Sequence, residues 1–355
     1  MDFIKNLFNS KNRSRTLSFL IVIVAYVVLT VLLKQGSVKS LFKSLLVPVC
    51  SYIVVALALN LVVGVSGELS LGHAGFMSVG AFTGIIISGY FAAAIPNETL
   101  RLIIAMIGGA VVAALIGFII SIPVLKLQGD YLAIVTLAFG QIIKSLINNI
   151  YLGFDDAGFK FSFINKNFEL GTNGKMLISG PMGATGTSRI STFTAGFVLI
   201  LITLFIIYNF MNSKHGRAVA ATRDNRIAAQ SVGINVVRTK TLAFVISAAL
   251  AGAAGVLYAL NYATLLPAKF DFNQSILILV YVVLGGLGNM TGTIISTVVL
   301  VLLPEMLRSL QNYRMLIYAV VLIIIMLVTN NPHVQDMIDR IKNRKTVDKG
   351  EASNG

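Results

Sequence analysis

Charge is scarce in this chain. Asp, Glu, Lys and Arg make up 12% of its 355 residues and hydrophobic residues 56%, whereas soluble domains carry about 25% charged residues. That composition excludes an ordinary globular protein, so the length is read as several membrane crossings and not as two or three soluble domains. The single cysteine, Cys50, excludes an internal disulfide and says nothing of redox compartment. The three histidines, His73, His215 and His333, are too scattered for a metal cluster of recognisable spacing. Trp is absent, which leaves Tyr and Phe to supply any aromatic belt. There is no GxSxG elbow, no pair of carboxylates at helical spacing within a span, and no phosphate-cradling GxxxxGK[ST]. The glycine-rich GLGNMTG at 286–292 lacks the lysine and reads as a tight turn between spans. No catalytic residue, metal site or cofactor is therefore expected on this chain. If ATP drives it, another subunit binds the nucleotide.

What is present is apolar sequence in long runs. Windows of about 20 residues place candidate spans near 17–33, 41–63, 74–95, 102–125, 131–152, 191–211, 241–262, 272–286, 292–308 and 314–329. The expected fold is an all-α polytopic membrane protein, a bundle of about ten transmembrane helices. The eighth span is short and ends in Gly285, Gly286 and Gly288, so a broken or tilted helix is expected there. No small-residue cleavage site follows the first span, which is expected to remain as an anchor. The domain reading is a cytoplasmic tail at 1–16, a membrane domain at 17–330 and a cytoplasmic tail at 331–355. Within the membrane domain, 153–190 is an external loop and 212–240 a cytoplasmic one.

The net charge of +14 fits this arrangement better than it fits nucleic acid. Cytoplasmic segments hold Lys5, Lys11, Arg13, Arg15, Lys126, the basic residues of the central loop, and Arg340, Lys342, Arg344, Lys345 and Lys349. There they set orientation and meet anionic lipid. The long outer loop mixes Lys160, Lys166, Lys175 and Arg189 with Asp155, Asp156 and Glu169, while Lys34, Lys39 and Lys43 break the rule at the first outer loop.

Three features rise above the apolar background. The first is the polar segment between Met211 and Lys240, with Lys214, Arg217, Arg223, Arg226, Arg238 and Lys240 against the single acid Asp224. It reads as one short helix capped at its start by Thr222 and ended by Gly233 in the left-handed region, a surface suited to a partner. The second is Asn60–Thr83, where Gly64, Gly67, Gly72 and Gly75 interrupt a helix beside Ser66, Glu68, Ser70 and His73. A broken or re-entrant segment near 64–75 would turn Asn60, Gly67, Glu68, Ser70 and His73 toward an interior pathway or gate. The alternative is a cytoplasmic-end turn with Glu68 at the interface and Ser70 capping the next helix. Lys144, flanked by Gln141, Asn148 and Asn149, either joins that pathway or snorkels to the interface. The third is small-residue spacing: Gly80 and Gly84; Gly109, Ala113 and Gly117; and Ala251 with Gly252, Gly255 and Ala259. Small residues let helix backbones approach closely in lipid.

Four blocks then carry a resemblance. NLVVGVSGELSLGHAGFMSVGAFT (60–83), GDYLAIVTLAFGQIIKS (129–145), GRAVAATRDNRIAAQSVGINVVRTKTLAFVISAALAGAAGVLYA (216–259) and VLGGLGNMTGTIISTVVLVLLPEMLR (283–308) resemble the permeases of branched-chain amino acid ABC transporters. The central block is more similar to the LivM type than to its LivH partner. The resemblance implies a permease subunit that moves branched-chain amino acids, or a related small solute such as urea or an amide. It implies four kinds of company: two ABC ATPase subunits carrying ATP and Mg, a second LivH-type permease, an external solute-binding protein, and membrane lipid. It also implies that 216–235 is the coupling helix docking on the ATPase, with Gly216, Arg217, Arg223, Asp224, Arg226, Ala228, Ala229 and Gly233 in that contact. Ile227 and Arg226 depart from the acidic residues those motifs carry, and 179–183 matches the family's outer glycine-rich loop only loosely. The setting implied is a bacterial or archaeal cytoplasmic membrane with both termini inside. An ion-coupled secondary transporter or channel is the alternative, and it would be expected to carry inverted repeats and buried acids. A membrane enzyme would need a catalytic constellation that the spans do not display.

Overall fold

The computed structural model describes residues 13–35, 40–92, 94–127, 129–155, 158–164, 174–308 and 313–330. The tail at 331–355, with His333 and its basic residues, lies outside the described residues, as do Lys5 and Lys11 of the first tail. So do Lys39, Asp156, Lys166 and Glu169.

Twelve α-helices stand among the described residues. They are α1 (Arg13–Lys34), α2 (Ser40–Asn60), α3 (His73–Tyr90), α4 (Glu98–Val124), α5 (Asp130–Asn148) and α6 (Phe193–Asn212), then α7 (Lys214–Asp224), α8 (Arg226–Ser231), α9 (Val236–Ala259), α10 (Phe272–Gly285), α11 (Met290–Met306) and α12 (Arg314–Asn330). Six are long and apolar enough to cross a membrane: α1, α2 with the turn that follows it, α4, α5, α6 and α9. Helices also occupy the other four expected segments. Of these, α10 has 14 residues and α11 and α12 have 17 each, short of the usual crossing.

Side-chain caps define several of the helix starts. Asn97 accepts from the amides of Thr99 and Leu100 at the start of α4, and Asp271 accepts from Gln274 at the start of α10. The basic segment departs from the single capped helix expected of it. It is two helices, α7 and α8, because Asn225 adopts an extended conformation (φ −151°, ψ 105°) between them. Ser213 caps α7 through the Gly216 amide, and Asn225 caps α8 through the Ala228 amide. Thr222 is no cap. It lies buried within α7, where its hydroxyl donates to the Val219 carbonyl. Gly233 does take a positive φ, +86°, after α8.

The expected external loop between α5 and α6 carries β-strands. Strands β1 (Ile150–Asp155), β2 (Gly158–Phe163) and β3 (Lys175–Ser179) form an antiparallel sheet in the order β2-β1-β3. Alternation in β2 sets Phe159, Phe161 and Phe163 on one exposed face. Beyond it, β4 (Ala184–Thr185) pairs with β5 (Thr264–Leu265), tying this region to the far end of α9.

The centre of the bundle is α9, packed against α3, α4 and α2. Side chains are small where these helices meet. A Cβ on Gly80 would collide with the Gly252 carbonyl, and one on Gly255 would collide with the Met77 carbonyl. A Cβ on Gly84 would stand 2.5 Å from a Val256 methyl, and one on Gly117 2.6 Å from the Ala248 methyl. Without those Cβ atoms the backbones of α3, α4 and α9 approach closely, and dispersion contacts replace a hydrophobic effect that lipid cannot supply. Tertiary contacts divide the chain into units 1–298 and 299–355. The second unit holds the end of α11, where Arg308 donates to Glu305 at 2.9 Å, and α12.

Gly80→Ala meets fixed backbone, whereas Gly84→Ala meets a side chain that can turn. Overpacking of this kind costs about 1–3 kcal/mol, and Gly80→Ala is expected to be the more damaging of the two. Thermal unfolding in detergent checks the order, and equal midpoints would contradict it.

Candidate functional site

The interruption after α2 begins as a change of helical pitch. Leu61–Val65 form a π-turn, residues 66–72 leave the helix altogether, and α3 starts at His73. The Ser66 amide returns to the Leu61 carbonyl at 3.2 Å and the Glu68 amide to the Val62 carbonyl at 3.1 Å. Gly67 takes φ +71°, a turn that leaves little choice of residue.

Polar side chains from distant parts of the chain fill the gaps this break leaves. Asn60 is fully buried; its Nδ2 donates to Thr293 Oγ1 at 2.7 Å and its Oδ1 accepts from the Gly288 amide at 2.8 Å. The expected turn at 286–292 is thus held against the break. A Cβ on Gly64 would strike both Asn60 Oδ1 and the Gly288 amide. His73 is also buried, with Nδ1 3.2 Å from Ser70 Oγ and Nε2 2.7 Å from Ser247 Oγ. Ser247 gives its own proton to the Ala58 carbonyl at 2.5 Å. It must therefore accept from His73, which places the ring proton on Nε2 and leaves Nδ1 to accept from Ser70. Ser70 is engaged with this ring and supplies no cap: the N-cap position of α3 is Gly72, and no side chain caps the helix.

The two-helix basic segment meets the break directly. Arg223 Nη1 donates to the Gly64 carbonyl at 3.0 Å. Its Nε and Nη2 both bond Asp224 Oδ1, at 3.1 and 3.0 Å, so the acid orients the guanidinium. Lys240, in the first turns of α9, forms an ion pair with Glu68, and both side chains are largely buried, at 8% and 14% exposure. Lys240, expected among the basic residues of the loop, is instead paired with an acid inside the protein. The available signal was Glu68 itself, an acid in an apolar stretch that needs a cation nearby.

Arg217 Nη1 donates to the Asn212 carbonyl at 2.8 Å, and a Cβ on Gly216 would collide with the Phe210 carbonyl, so both residues fix the junction of α6 and α7. Arg226 is half-buried, Ala229 is buried and Ala228 is exposed on α8. Beside them Ile227 and Val232 are 79% and 75% exposed, an apolar surface on an otherwise basic segment. Arg223 and Arg226 do not share one helix face, because Asn225 parts α7 from α8.

Lys144 lies elsewhere. It is half-buried near the sheet end of α5, and among the described residues no hydrogen bond or ion pair reaches it. A tyrosine cluster also stands apart from the break: Tyr258 lies between Tyr52 and Tyr262, with ring centroids 5.5 and 5.0 Å away. Tyr262, past the end of α9, carries Lys269 Nζ 5.7 Å from its ring centre, and burial pushes its phenol pKa up.

Six apolar helices of crossing length, an interrupted helix and a basic segment tied to the interruption fit a multi-pass membrane protein. The chain belongs to the family of permease components of the branched-chain amino acid transport system, whose model matches residues 41–327. It is 34% identical over 286 residues to the high-affinity branched-chain amino acid permease proteins LivM of Salmonella typhimurium and Escherichia coli. Each match covers 78% of this chain and 66% of the relative. A probable LivH permease protein of Methanocaldococcus jannaschii is 26% identical, over 84% of this chain and 91% of its own length. No solved structure matches the chain.

Two substitutions test the geometry. Asn60→Ala strands the Gly288 amide, while the Thr293 hydroxyl keeps its bond to the Asn289 carbonyl, and a loss of about 1–3 kcal/mol is expected in detergent unfolding. Asn225→Ala removes the cap of α8 at about 1 kcal/mol, read as faster amide exchange over 226–231 with the rest of the bundle unaltered. Unchanged exchange there would contradict the cap.

Proposed function

We propose that this chain is the transmembrane permease subunit of an ABC importer, and that it carries branched-chain amino acids or a related small solute such as urea or an amide. The observation that carries the reading is α8. It is a short capped helix that exposes Ile227 and Ala228, with Val232 exposed just after it, beside basic residues. A soluble partner with an apolar groove covers such a surface. Family membership supports the solute class.

In this reading the segment from Gly216 to Gly233 is the coupling element. Ala228 lies on its exposed face and Ala229 on its buried one, and Arg217, Arg223, Asp224 and Arg226 set its charge. Two ABC ATPases hold ATP and Mg and dock on it and on its counterpart in a second, LivH-type permease. An external solute-binding protein delivers the solute at the opposite face. This chain supplies no catalytic residue. The positive-inside rule puts α7, α8 and both termini in the cytoplasm of a bacterial or archaeal cell, and ten crossings satisfy that orientation. Asn60, Gly67, Glu68, Ser70, His73 and Lys144 belong to the pathway and its gate, while Gly80, Gly84, Gly252 and Gly255 hold the rigid helices around it. Closure of the ATPases on ATP moves α8, and the attached helices expose the pathway to one side and then the other.

The test is affinity purification of the tagged chain from its native membranes in mild detergent. Recovery of a second permease and of ABC ATPases is expected. Ile227→Glu should lose the ATPases, with about tenfold or greater weakening, while membrane insertion continues. Isolation of the chain alone, with solute flux that needs no ATP, would contradict the importer reading.

A further inference from the structure

We infer that Arg223, Glu68 and Lys240 form a clasp joining both flanks of α8 to the break after α2, and that motion of α8 reaches the pathway through it. The inference rests on the importer reading above and names the residues that transmit its driving motion.

The positions of the anchors carry the argument. Arg223 lies just before α8 and Lys240 lies after it, in the first turns of α9. Both reach the same short stretch, Arg223 at Gly64 and Lys240 at Glu68. Displacement of α8 from either side therefore pulls on residues 64–68.

Chemistry makes each anchor selective. A helix that ends abruptly leaves carbonyls without intrahelical donors, and Arg223 supplies one to Gly64. Asp224 occupies Nε and Nη2 of the same guanidinium, so Nη1 is the group turned to that carbonyl. Gly67 makes room for the arginine: a Cβ there would stand 2.6 Å from Arg223 Cγ. Glu68 and Lys240 are largely out of water, so separating them strands two charges, and the pair stays shut until the coupling segment is pulled.

Chemistry also explains why the pull acts at this place. The stretch 66–72 is outside any helix and is held by isolated bonds of the Ser66, Glu68 and Leu71 amides, not by a continuous ladder, whereas the helices on either side move as rods. It leads into His73, whose ring bonds Ser247 of α9. A shift at Glu68 thus reaches a buried polar contact inside the bundle.

The experiment uses the complete transporter, reconstituted in proteoliposomes with its ATPases and binding protein, and reads leucine uptake per ATP hydrolysed. Glu68→Lys and Lys240→Glu are each expected to lower that ratio by about tenfold or more. The double exchange, Glu68→Lys with Lys240→Glu, is expected to restore most of it. Each complex is first shown to contain all subunits by size-exclusion chromatography. Should a single charge reversal fail to assemble, Arg223→Met, which removes the donor to the Gly64 carbonyl and leaves the Gly67 turn intact, is expected to give the same drop. Single variants with the wild-type ratio, or a double exchange no better than either single one, would overturn the clasp. A wild-type complex whose uptake ignores ATP would instead overturn the importer reading, and the clasp with it.

Discussion

Everything in this bundle depends on satisfying backbone polar groups where a helix stops inside an apolar protein. Water cannot serve them there, so side chains from distant parts of the chain must. The break after α2 is served in this way: Asn60 takes the Gly288 amide, Arg223 serves the Gly64 carbonyl, and Lys240 neutralises Glu68. Each partner comes from a different element, so one interruption gathers α2, α7, α9 and the turn before α11 to a single place. The close approach of α3, α4 and α9 at Gly80, Gly252 and Gly255 is the complementary device. It makes the surrounding helices rigid, so that the break is where the fold can yield.

The apolar runs and small-residue spacings were legible because they report on a single helix and its immediate contacts. The break was legible in part: the non-helical stretch is 66–72 and holds Gly67 and Gly72, whereas Gly64 lies in the π-turn and Gly75 within α3, so only two of the four glycines leave the helix. Less was visible where local rules compete. Thr222 and Asn225 are both acceptable caps by residue type, and only the extended backbone at Asn225 decides between them. The sheet at 150–179 was hidden because its strands are short, with a bulge between Leu152 and Gly153. Glu68 in an apolar stretch announces that it needs a cation, but not which one: Lys240 is 172 residues away.

Function follows from that convergence. A transport subunit driven from outside the membrane needs a surface for the motor, a part that moves, and a connection between them. The exposed face of α8, the non-helical stretch 66–72 and the residues flanking α8 are suited to these tasks. In the proposed reading the solute class rests on membership of the branched-chain permease family, and the contacts of Arg223 and Lys240 are the route from α8 to the break.

The central claim is that α8 and the break move as one. Electron-resonance distance measurement on the reconstituted transporter tests it, with Cys50 replaced by Ser and spin labels placed at Ser231, at Leu69 and at Ile107 on α4. Distances from Ile107 are compared in the nucleotide-free and ATP-trapped states. The account predicts that both the Ser231 and the Leu69 distances shift on trapping. A shift at Ser231 with no change at Leu69 would contradict it.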